Sequence, residues 1–324
     1  MRIPTVEDVK EAAIRISGEA FRTPLLQNAT LNKVSGATVY LKPECLQRTG
    51  SFKFRGAYNA ISLLNDEEKS KGVVASSSGN HAQGVAEASA IFGIDATIVM
   101  PSDAPEIKVR RTKASGATVV FYDRESEDRE AVLETYRQEN DLVLVHPFNN
   151  PNVIAGQGTV GLETAEDLVT KGIALDHVLV CTGGGGLTAG VCLGIRSAFD
   201  DAQIHTVEPE KFDDYKRSLA SGKIEQNPQT SGSICDAILT PSPGEIAFEI
   251  GRANLSDGLT ISDGDAKHAM RFAYEHLKLV VEPGGAAALA ALLKYSDRWA
   301  GKSVAVVISG GNVDPQMFCD VISA

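Results

Sequence analysis

The sequence predicts an α/β fold made of mostly parallel, twisted sheets flanked by helices. Short β-branched runs alternate along the chain with stretches of helical periodicity. The runs are almost continuously apolar, which is typical of parallel strands covered on both faces. A length of 324 residues is sufficient for two lobes. We therefore expect either two parallel sheets or one interrupted sheet.

The predicted elements form two series. Strands of the first series are expected at residues 73–76, 96–100, 117–122 and 142–146. Helices are expected between and after these strands, at 83–92, 106–114 and 125–138. Strands of the second series are expected at 177–182, 204–208 and 304–309. Residues 221–244, rich in Ser, Asn and Pro, are predicted to form a long surface excursion, a feature that is often functional.

Composition narrows the classes of partner. No apolar run reaches the roughly 18 residues of a membrane span, and the amino terminus lacks the apolar core of a signal peptide. The net charge of −11 disfavours nucleic acid and anionic membranes. Five cysteines without a C-x-x-C pair argue against a disulfide framework and a structural zinc site. We expect a cytoplasmic protein that acts on a small molecule.

A run of four glycines, Gly183, Gly184, Gly185 and Gly186, lies between a predicted strand and a predicted helix. Backbone N–H groups that converge at a helix N-terminus bind anions, so the run indicates a phosphate site. The alternative is a strand-to-helix turn without a ligand.

The same run also fits a dinucleotide-binding pattern. Gly184, Gly186 and Ala189 match G-x-G-x-x-A, and Glu208 follows about 20 residues later. A nicotinamide-dependent (NAD) oxidoreductase is therefore an alternative of another class.

Lys53 lies between Phe52 and Phe54 at a predicted loop-to-helix junction. Apolar neighbours lower an amine pKa by disfavouring its charged form, which suits a lysine that attacks a carbonyl. Taken alone, a solvated surface lysine is the simpler interpretation.

Polar residues follow two of the predicted strands, where ligands bind in open α/β sheets. Ser77, Ser78, Asn80 and His81 follow the strand at 73–76 and could hold a carboxylate or a ring hydroxyl, or merely cap a helix. Ser309 closes the last strand and could meet a ring nitrogen, or occupy an ordinary turn.

Acidic residues cluster just after the predicted strand at 204–208. Glu208 and Asp214, completed by a backbone carbonyl and water, would suit Mg²⁺, Ca²⁺ or Mn²⁺. A solvated acidic surface is the alternative in a chain this acidic.

Taken together, the motifs resemble the fold-type-II pyridoxal-phosphate (PLP) enzymes, and within them the serine/threonine dehydratase (ammonia-lyase) and serine racemase family. The resemblance extends along essentially the whole chain and is specific because the motifs occur as an ordered set. They are FRTPLL, LKPECLQRTGSFKFRGA, SSSGNHAQG, IAGQGT, GGGGL, VEP and SGGN.

The resemblance implies the two-lobed fold of the tryptophan synthase β type. Residues 1–47 and 147–324 would form a large cofactor-binding domain, residues 48–146 a small domain, and the active site would lie in the cleft between them. A homodimer is the family expectation.

The resemblance also implies roles at the cofactor. Lys53 would carry PLP, and Gly183 to Gly186 with Leu187 would hold its phosphate. Phe52 would flank the ring, Asn80 would bind its hydroxyl, and Ser309 would face its nitrogen.

Substrate and metal roles follow in the same way. Ser77, Ser78, Asn80 and His81 would hold the substrate carboxylate, and Ser78 matches the second acid/base of serine racemases. Glu208, the carbonyl of Phe212, and Asp214 match the residues that hold a divalent cation in racemase-like members.

The implied reaction is conversion of a β-hydroxy amino acid to a 2-keto acid and ammonia. L-threonine, L-serine, 3-hydroxyaspartate and phenylserine are candidate substrates, because the stretch after Glu208 departs from the common threonine pattern and leaves the β-substituent open. Racemisation of serine is the alternative within the family.

Overall fold

The structure, a computed structural model, describes residues 1–77, 79–104, 106–123, 126–229 and 231–323, with the backbone alone at 107 and 108. The strands are β1 (Thr38–Pro43), β2 (Val73–Ser76), β3 (Ala96–Pro101), β4 (Thr118–Tyr122), β5 (Val143–Leu144), β6 (His177–Cys181), β7 (Gln203–Pro209), β8 (Gly258–Ile261) and β9 (Ser303–Ile308). Within the described ranges they form a five-stranded sheet, ordered β1-β9-β6-β7-β8, and a four-stranded sheet, ordered β4-β3-β2-β5. Every strand pair in both sheets is parallel. The predicted α/β class with parallel sheets is confirmed.

Helices cover the sheets. They are α1 (Val6–Arg15), α2 (Ala29–Ser35), α3 (Lys53–Ser62), α4 (Asp66–Lys71), α5 (Asn80–Phe92), α6 (Glu106–Ala114), α7 (Arg129–Glu139), α8 (Pro151–Thr170), α9 (Gly186–Ile195), α10 (Asp214–Ser221), α11 (Glu245–Asn254), α12 (Asp263–Phe272), α13 (Ala287–Lys294) and α14 (Pro315–Ser323). Short 3₁₀ turns occur at Glu44–Leu46, Arg48–Gly50, Asp236–Ile238 and Ser296–Trp299, and a π-helical turn at Ala273–Leu277. In the part of the chain that the structure describes, no helix has both the length and the apolar character needed to cross a membrane.

Most predicted strands lie where the apolar runs indicated, but the pattern missed β1 and β8. In β1 the apolar run is interrupted by Lys42. This lysine is buried because it pairs with Glu163. β8 has only four residues and begins with Gly258. Conversely, the prediction made β5 too long: the predicted strand covers residues 142–146, whereas β5 pairs with β2 at only two residues.

The two sheets have largely separate hydrophobic cores. One core packs on the five-stranded sheet and includes the buried faces of α9, α12 and α13. Another packs on the four-stranded sheet with residues of α3 and α5. The strands of the smaller sheet fall inside residues 48–146 and those of the larger sheet fall outside this range. The domain limits 1–47, 48–146 and 147–324 stay a prediction.

A buried ionic network ties α3 to β1 and α8. The guanidinium of Arg55 donates to Glu44 at 2.7 Å (Nε) and to Glu163 at 2.6 Å (Nη1). Glu163 also accepts from Lys42 Nζ at 2.5 Å. The network fixes the first turn of α3, which begins at Lys53.

Candidate active site

A cavity of about 570 Å³ opens between the two sheets, at the carboxyl ends of their strands. Its wall includes Ser77 after β2, His146 after β5, Gly183 after β6 and Ser309 after β9. Ends of parallel strands are where open α/β sheets bind ligands. The predicted residues on the wall are Phe52, Lys53, Ser77, Asn80, His81, Gly183, Gly184, Gly185, Gly186, Leu187 and Ser309. Ser78 lies outside the described residues.

Lys53 begins α3 and points into the cavity. The bridge between Ser51 and Gly310 and the bond from Phe52 N to the Ser309 carbonyl, at 3.1 Å, hold this end of α3 against the end of β9. Nζ of Lys53 donates to the Pro147 carbonyl at 2.9 Å. Burial lowers the pKa of Lys53 to about 8. The amine is therefore far easier to deprotonate than a solvated lysine.

The glycine run turns from β6 into α9 without side chains that would fill the turn. Gly185 has φ +85° and caps the helix, and a Cβ there would collide with the Tyr215 ring. A Cβ on Gly184 would collide with the Phe148 ring. The turn therefore requires glycine, and it leaves backbone N–H groups at the α9 N-terminus facing the cavity, as a phosphate site needs.

Asn80 belongs to a hydrogen-bonded set that the sequence did not predict. Its Nδ2 donates to Glu282 Oε1 at 2.6 Å, and its Oδ1 accepts from Asn312 Nδ2 at 2.8 Å. Glu282 and Asn312 both line the cavity. Asn312 ends the SGGN motif, and Glu282 is a buried carboxylate inside an apolar stretch, so each carried a signal in the sequence.

The His81 ring does not offer a donor for a substrate carboxylate. Its Nε2 lies 2.7 Å from the Val145 carbonyl, which can only accept, so Nε2 carries the proton. Burial, together with the charge of Lys53, lowers the pKa of His81 to about 3. The ring is therefore neutral, and Nδ1 carries a lone pair that can only accept a hydrogen bond. The predicted carboxylate contact by His81 would therefore use its backbone N–H at the start of α5.

Neutral groups lie at the end of β9. The Cys181 thiol is hydrogen-bonded to the Ser309 hydroxyl, and burial raises the pKa of Cys181 to about 11. Neither side chain carries a charge at neutral pH.

The acidic pair lies apart from the lining residues and is not a solvated surface. Glu208 and Asp214 are 0% and 1% exposed. The Glu208 carboxylate accepts from the backbone N–H groups of Tyr215 and Lys216, both at 2.8 Å. Asp214 Oδ1 accepts from Asn227 Nδ2 at 2.5 Å, whereas the buried Oδ2 of Asp214 has no partner among the described residues. The interpretation as solvated surface charge is therefore wrong.

Electrostatics disfavour two ionised carboxylates in this position. Burial, together with the charge of Asp214, raises the pKa of Glu208 well above its usual value. Burial also raises the pKa of Asp214 to about 7. Within the described ranges, no group of three or more His, Cys, Asp or Glu side chains is placed to hold a metal. The predicted set has only two such side chains, with the Phe212 carbonyl as its third member.

The chain matches the model of the pyridoxal-phosphate-dependent enzyme family over residues 16–310. It belongs to this family. It is 42% identical over 322 residues to an L-threo-3-hydroxyaspartate ammonia-lyase of a Pseudomonas species, covering 99% of each chain. It is 41% identical to an L-threonine ammonia-lyase of Thermotoga maritima, covering 98% of this chain and 78% of the relative. A serine racemase structure from Dictyostelium discoideum has a TM-score of 0.88 at 39% identity, covering 96% of this chain and 99% of that one.

Family membership overturns the nicotinamide alternative, because the family that the chain matches over residues 16–310 is pyridoxal-phosphate-dependent. The structure also differs from the sequence prediction in one segment. Residues 221–244 were expected to form a surface excursion, yet Asp236, Ile238 and Thr240 line the cavity.

Proposed function

We propose that this protein is a PLP-dependent ammonia-lyase that converts a β-hydroxy amino acid to a 2-keto acid and ammonia. The observation that carries the proposal is Lys53, a buried amine with a lowered pKa on the wall of a cavity that also contains a glycine-lined helix N-terminus. The relatives named above include lyases that act on 3-hydroxyaspartate and on threonine. Serine, threonine and 3-hydroxyaspartate are the proposed substrates.

The cavity fits PLP. The side-chain-free turn at Gly184 and Gly185 would take the phosphate, Lys53 the aldehyde, and Asn80 the ring hydroxyl, with Phe52 beside the ring and Ser309 at its nitrogen. When bound, PLP supplies an aldehyde that captures the substrate amine and a conjugated ring that accepts the electron pair released from Cα.

The chain's own residues supply proton transfer and positioning. Once it is free of the cofactor, the neutral Lys53 amine takes the proton from Cα, since its lowered pKa keeps a useful fraction deprotonated near neutral pH. Donors at Ser77 and the N-terminus of α5 orient the substrate carboxylate. Ser309 and Cys181 are uncharged, so they would place no negative charge beside the ring nitrogen of the cofactor and would favour elimination of the β-hydroxyl over transamination.

The decisive experiment combines covalent mapping with a product assay. Borohydride reduction should abolish the visible absorbance of the purified protein and leave a pyridoxyl adduct on Lys53 in peptide mass spectrometry. A panel of L-serine, L-threonine, 3-hydroxyaspartate and phenylserine should yield keto acid, and Lys53→Ala should abolish it. An unmodified Lys53 would overturn the proposal.

Racemisation of serine is a second candidate, favoured by the structural similarity to a serine racemase. Incubation of pure L-serine, followed by chiral analysis of the amino acid and measurement of pyruvate, separates the two reactions. D-serine without pyruvate would replace the lyase assignment by a racemase. Ser78 would then be the proposed second acid/base.

We also propose that Glu208, the Phe212 carbonyl and Asp214 hold a divalent cation: Mg²⁺, Ca²⁺ or Mn²⁺. The proposal is supported by the unpartnered Asp214 Oδ2 and by two buried carboxylates whose pKa values are raised by burial, that of Glu208 also by the charge of Asp214. Asn227 Nδ2 donates both to Asp214 Oδ1 and to the carbonyl of Thr240, a residue of the cavity wall. A cation bound to Asp214 would therefore also stabilise the position of this part of the wall. A homodimer and a cytoplasmic location stay predictions.

A further inference from the structure

Two histidines meet at the edge of the large sheet that lies opposite the cavity. His177 is the first residue of β6 and His205 lies near the start of β7, whereas the cavity opens at the carboxyl ends of the strands. His177 Nδ1 lies 3.1 Å from His205 Nε2. His205 Nδ1 is in turn hydrogen-bonded to Asp257, which immediately precedes β8. The three side chains therefore form a continuous hydrogen-bonded chain across three neighbouring strands.

The partners fix where the hydrogens of this chain lie. Hydrogen bonds from His205 and Arg298 lower the pKa of Asp257, so its carboxylate is ionised and can only accept. His205 Nδ1 therefore carries a hydrogen. In the neutral His205 ring, Nε2 is a lone pair that accepts from Nδ1–H of His177. The site left for an added proton is Nε2 of His177, a partly exposed residue.

The two rings can hold one extra proton without losing their hydrogen bond. A proton on His177 Nε2 leaves Nδ1–H of His177 donating to His205, and the carboxylate of Asp257 compensates part of the added charge. A second proton would have to bind His205 Nε2. Two N–H groups would then face each other across 3.1 Å, a distance that accommodates one hydrogen. The second proton therefore breaks the contact between the rings.

The charges around His177 also oppose full protonation of the pair. Burial lowers the pKa of His177, and the charge of His205 lowers it further. Lys302 and Arg298 act in the same direction, whereas Asp176 acts against it. A histidine whose pKa is lowered by folding contributes stability that is complete above its unfolded pKa of about 6.5 and is lost as the pH falls below that value. Mild acid therefore weakens this edge of the sheet.

Trp299 packs against both rings. It is the single tryptophan of the sequence, and it is fully buried. Its ring centroid lies 5.1 Å from that of His177 and 5.6 Å from that of His205, both in edge-to-face geometry. The guanidinium of Arg298, which pairs with Asp257, lies over the same indole at 5.0 Å. Separation of the two histidines would therefore change the surroundings of Trp299.

We propose that His177, His205 and Asp257 form an acid-sensitive switch in the large sheet. The switch is closed while the two rings carry at most one extra proton, and a second proton opens it. Opening releases the start of β6, the strand that leads into the glycine run. None of the three side chains is among the described residues of the cavity wall, so the switch does not depend on the proposed reaction.

The first test follows the fluorescence of Trp299 in the holoenzyme, without denaturant, from about pH 7.5 to about pH 4.5. Wild type should show a red shift of the emission below about pH 6, because opening exposes the indole to water. His177→Asn should lose this shift, because the asparagine amide keeps a donor near the position of Nδ1 but does not titrate. His268→Asn, which changes an exposed histidine of α12, is the matched control and should behave as wild type.

The second test measures the linked stability by urea unfolding at about pH 6.5 and about pH 5. Over this interval the unfolding equilibrium constant of wild type should rise about tenfold more than that of His177→Asn. Asp257→Asn should move the midpoint of the fluorescence transition to higher pH by about 0.5–1 unit, because the pair loses the carboxylate that compensates its first proton.

Each test has an outcome that contradicts the switch. An emission shift of the same size and midpoint in wild type and His177→Asn would overturn the proposal, as would an equal pH dependence of unfolding in these two proteins. Loss of the shift in His268→Asn would also overturn it, because the transition would then not belong to the paired histidines. If His177→Asn does not fold, Asp257→Asn decides: a midpoint that stays at the wild-type pH or falls below it would overturn the proposal.

Discussion

Two clusters of buried charge, one around Arg55 and one at Glu208 and Asp214, differ in how their carboxylates are compensated. In the first, Glu44 and Glu163 meet the cations Arg55 and Lys42. Burial opposes ionisation of Glu44, but Arg55, Lys42 and Thr23 together outweigh it, and the pKa of Glu44 is lowered. In the second, Glu208 and Asp214 have no cation within salt-bridge distance in the described part of the chain, and both pKa values are raised.

Burial alone therefore does not decide whether a carboxylate is ionised. In the first cluster, the cations Arg55 and Lys42 pair with the carboxylates and connect α3, β1 and α8. Among the described residues no cation lies within salt-bridge distance of Glu208 or Asp214, so an added positive charge would be favourable there. Removing a cation from the first cluster should therefore lower the free energy of unfolding, whereas removing a carboxylate from the second cluster should raise it.

The largest effect is expected from breaking the first cluster. Arg55→Met leaves Glu44 and Glu163 with only Lys42, so we expect a loss of about 3–5 kcal/mol in the free energy of unfolding. Urea unfolding followed by circular dichroism measures it. Arg22→Met, which removes exposed pairs with Glu166 and Asp167, is the control and should cost less than about 1 kcal/mol. Equal costs for the two variants would contradict the comparison.

A smaller effect of opposite sign is expected in the second cluster. In EDTA at neutral pH, Asp214→Asn removes one of two repelling buried charges and should stabilise the protein by about 1–3 kcal/mol. Mg²⁺ or Ca²⁺ should raise the Tm of wild type and not that of the variant, as measured by scanning calorimetry. The matched control is Asp213→Asn, which removes the neighbouring carboxylate, one that pairs with Arg217. If Asp214→Asn destabilises the cation-free protein more than Asp213→Asn does, the cluster is not a cation site.

The smallest effect concerns Lys53, a buried amine whose Nζ donates to the Pro147 carbonyl and whose charged form is disfavoured by burial. Because its pKa is lowered to about 8, the neutral fraction of the amine rises about fivefold between pH 7 and pH 8 and levels off above about pH 9. The rate at which apoprotein captures PLP, followed by visible absorbance, should have this shape. A rate that keeps rising about tenfold per pH unit up to pH 10 would indicate an amine with the pKa of a solvated lysine.

Much of the fold and of the site could be predicted from the sequence because the relevant signals are local. Apolar runs predicted β2, β3, β6 and β9 almost to the residue. The motif around Lys53, the glycine run and Ser309 lie on one cavity wall because each directly precedes or follows a predicted element. The amino-acid sequence by itself therefore determined the α/β class, the family, and the candidate cofactor contacts.

Tertiary structure alone decided what depends on distant segments. It joined Asn80 to Glu282 and Asn312, more than 200 positions away, and brought residues 236–245 to the cavity wall. It turned the His81 ring toward the Val145 carbonyl, which removed the side chain from the carboxylate site. It buried Glu208 and Asp214 with no cation at salt-bridge distance among the described residues, and it placed Arg129 of α7 on the cavity wall. Burial and electrostatic partners arise from packing between remote segments, and no local pattern encodes them.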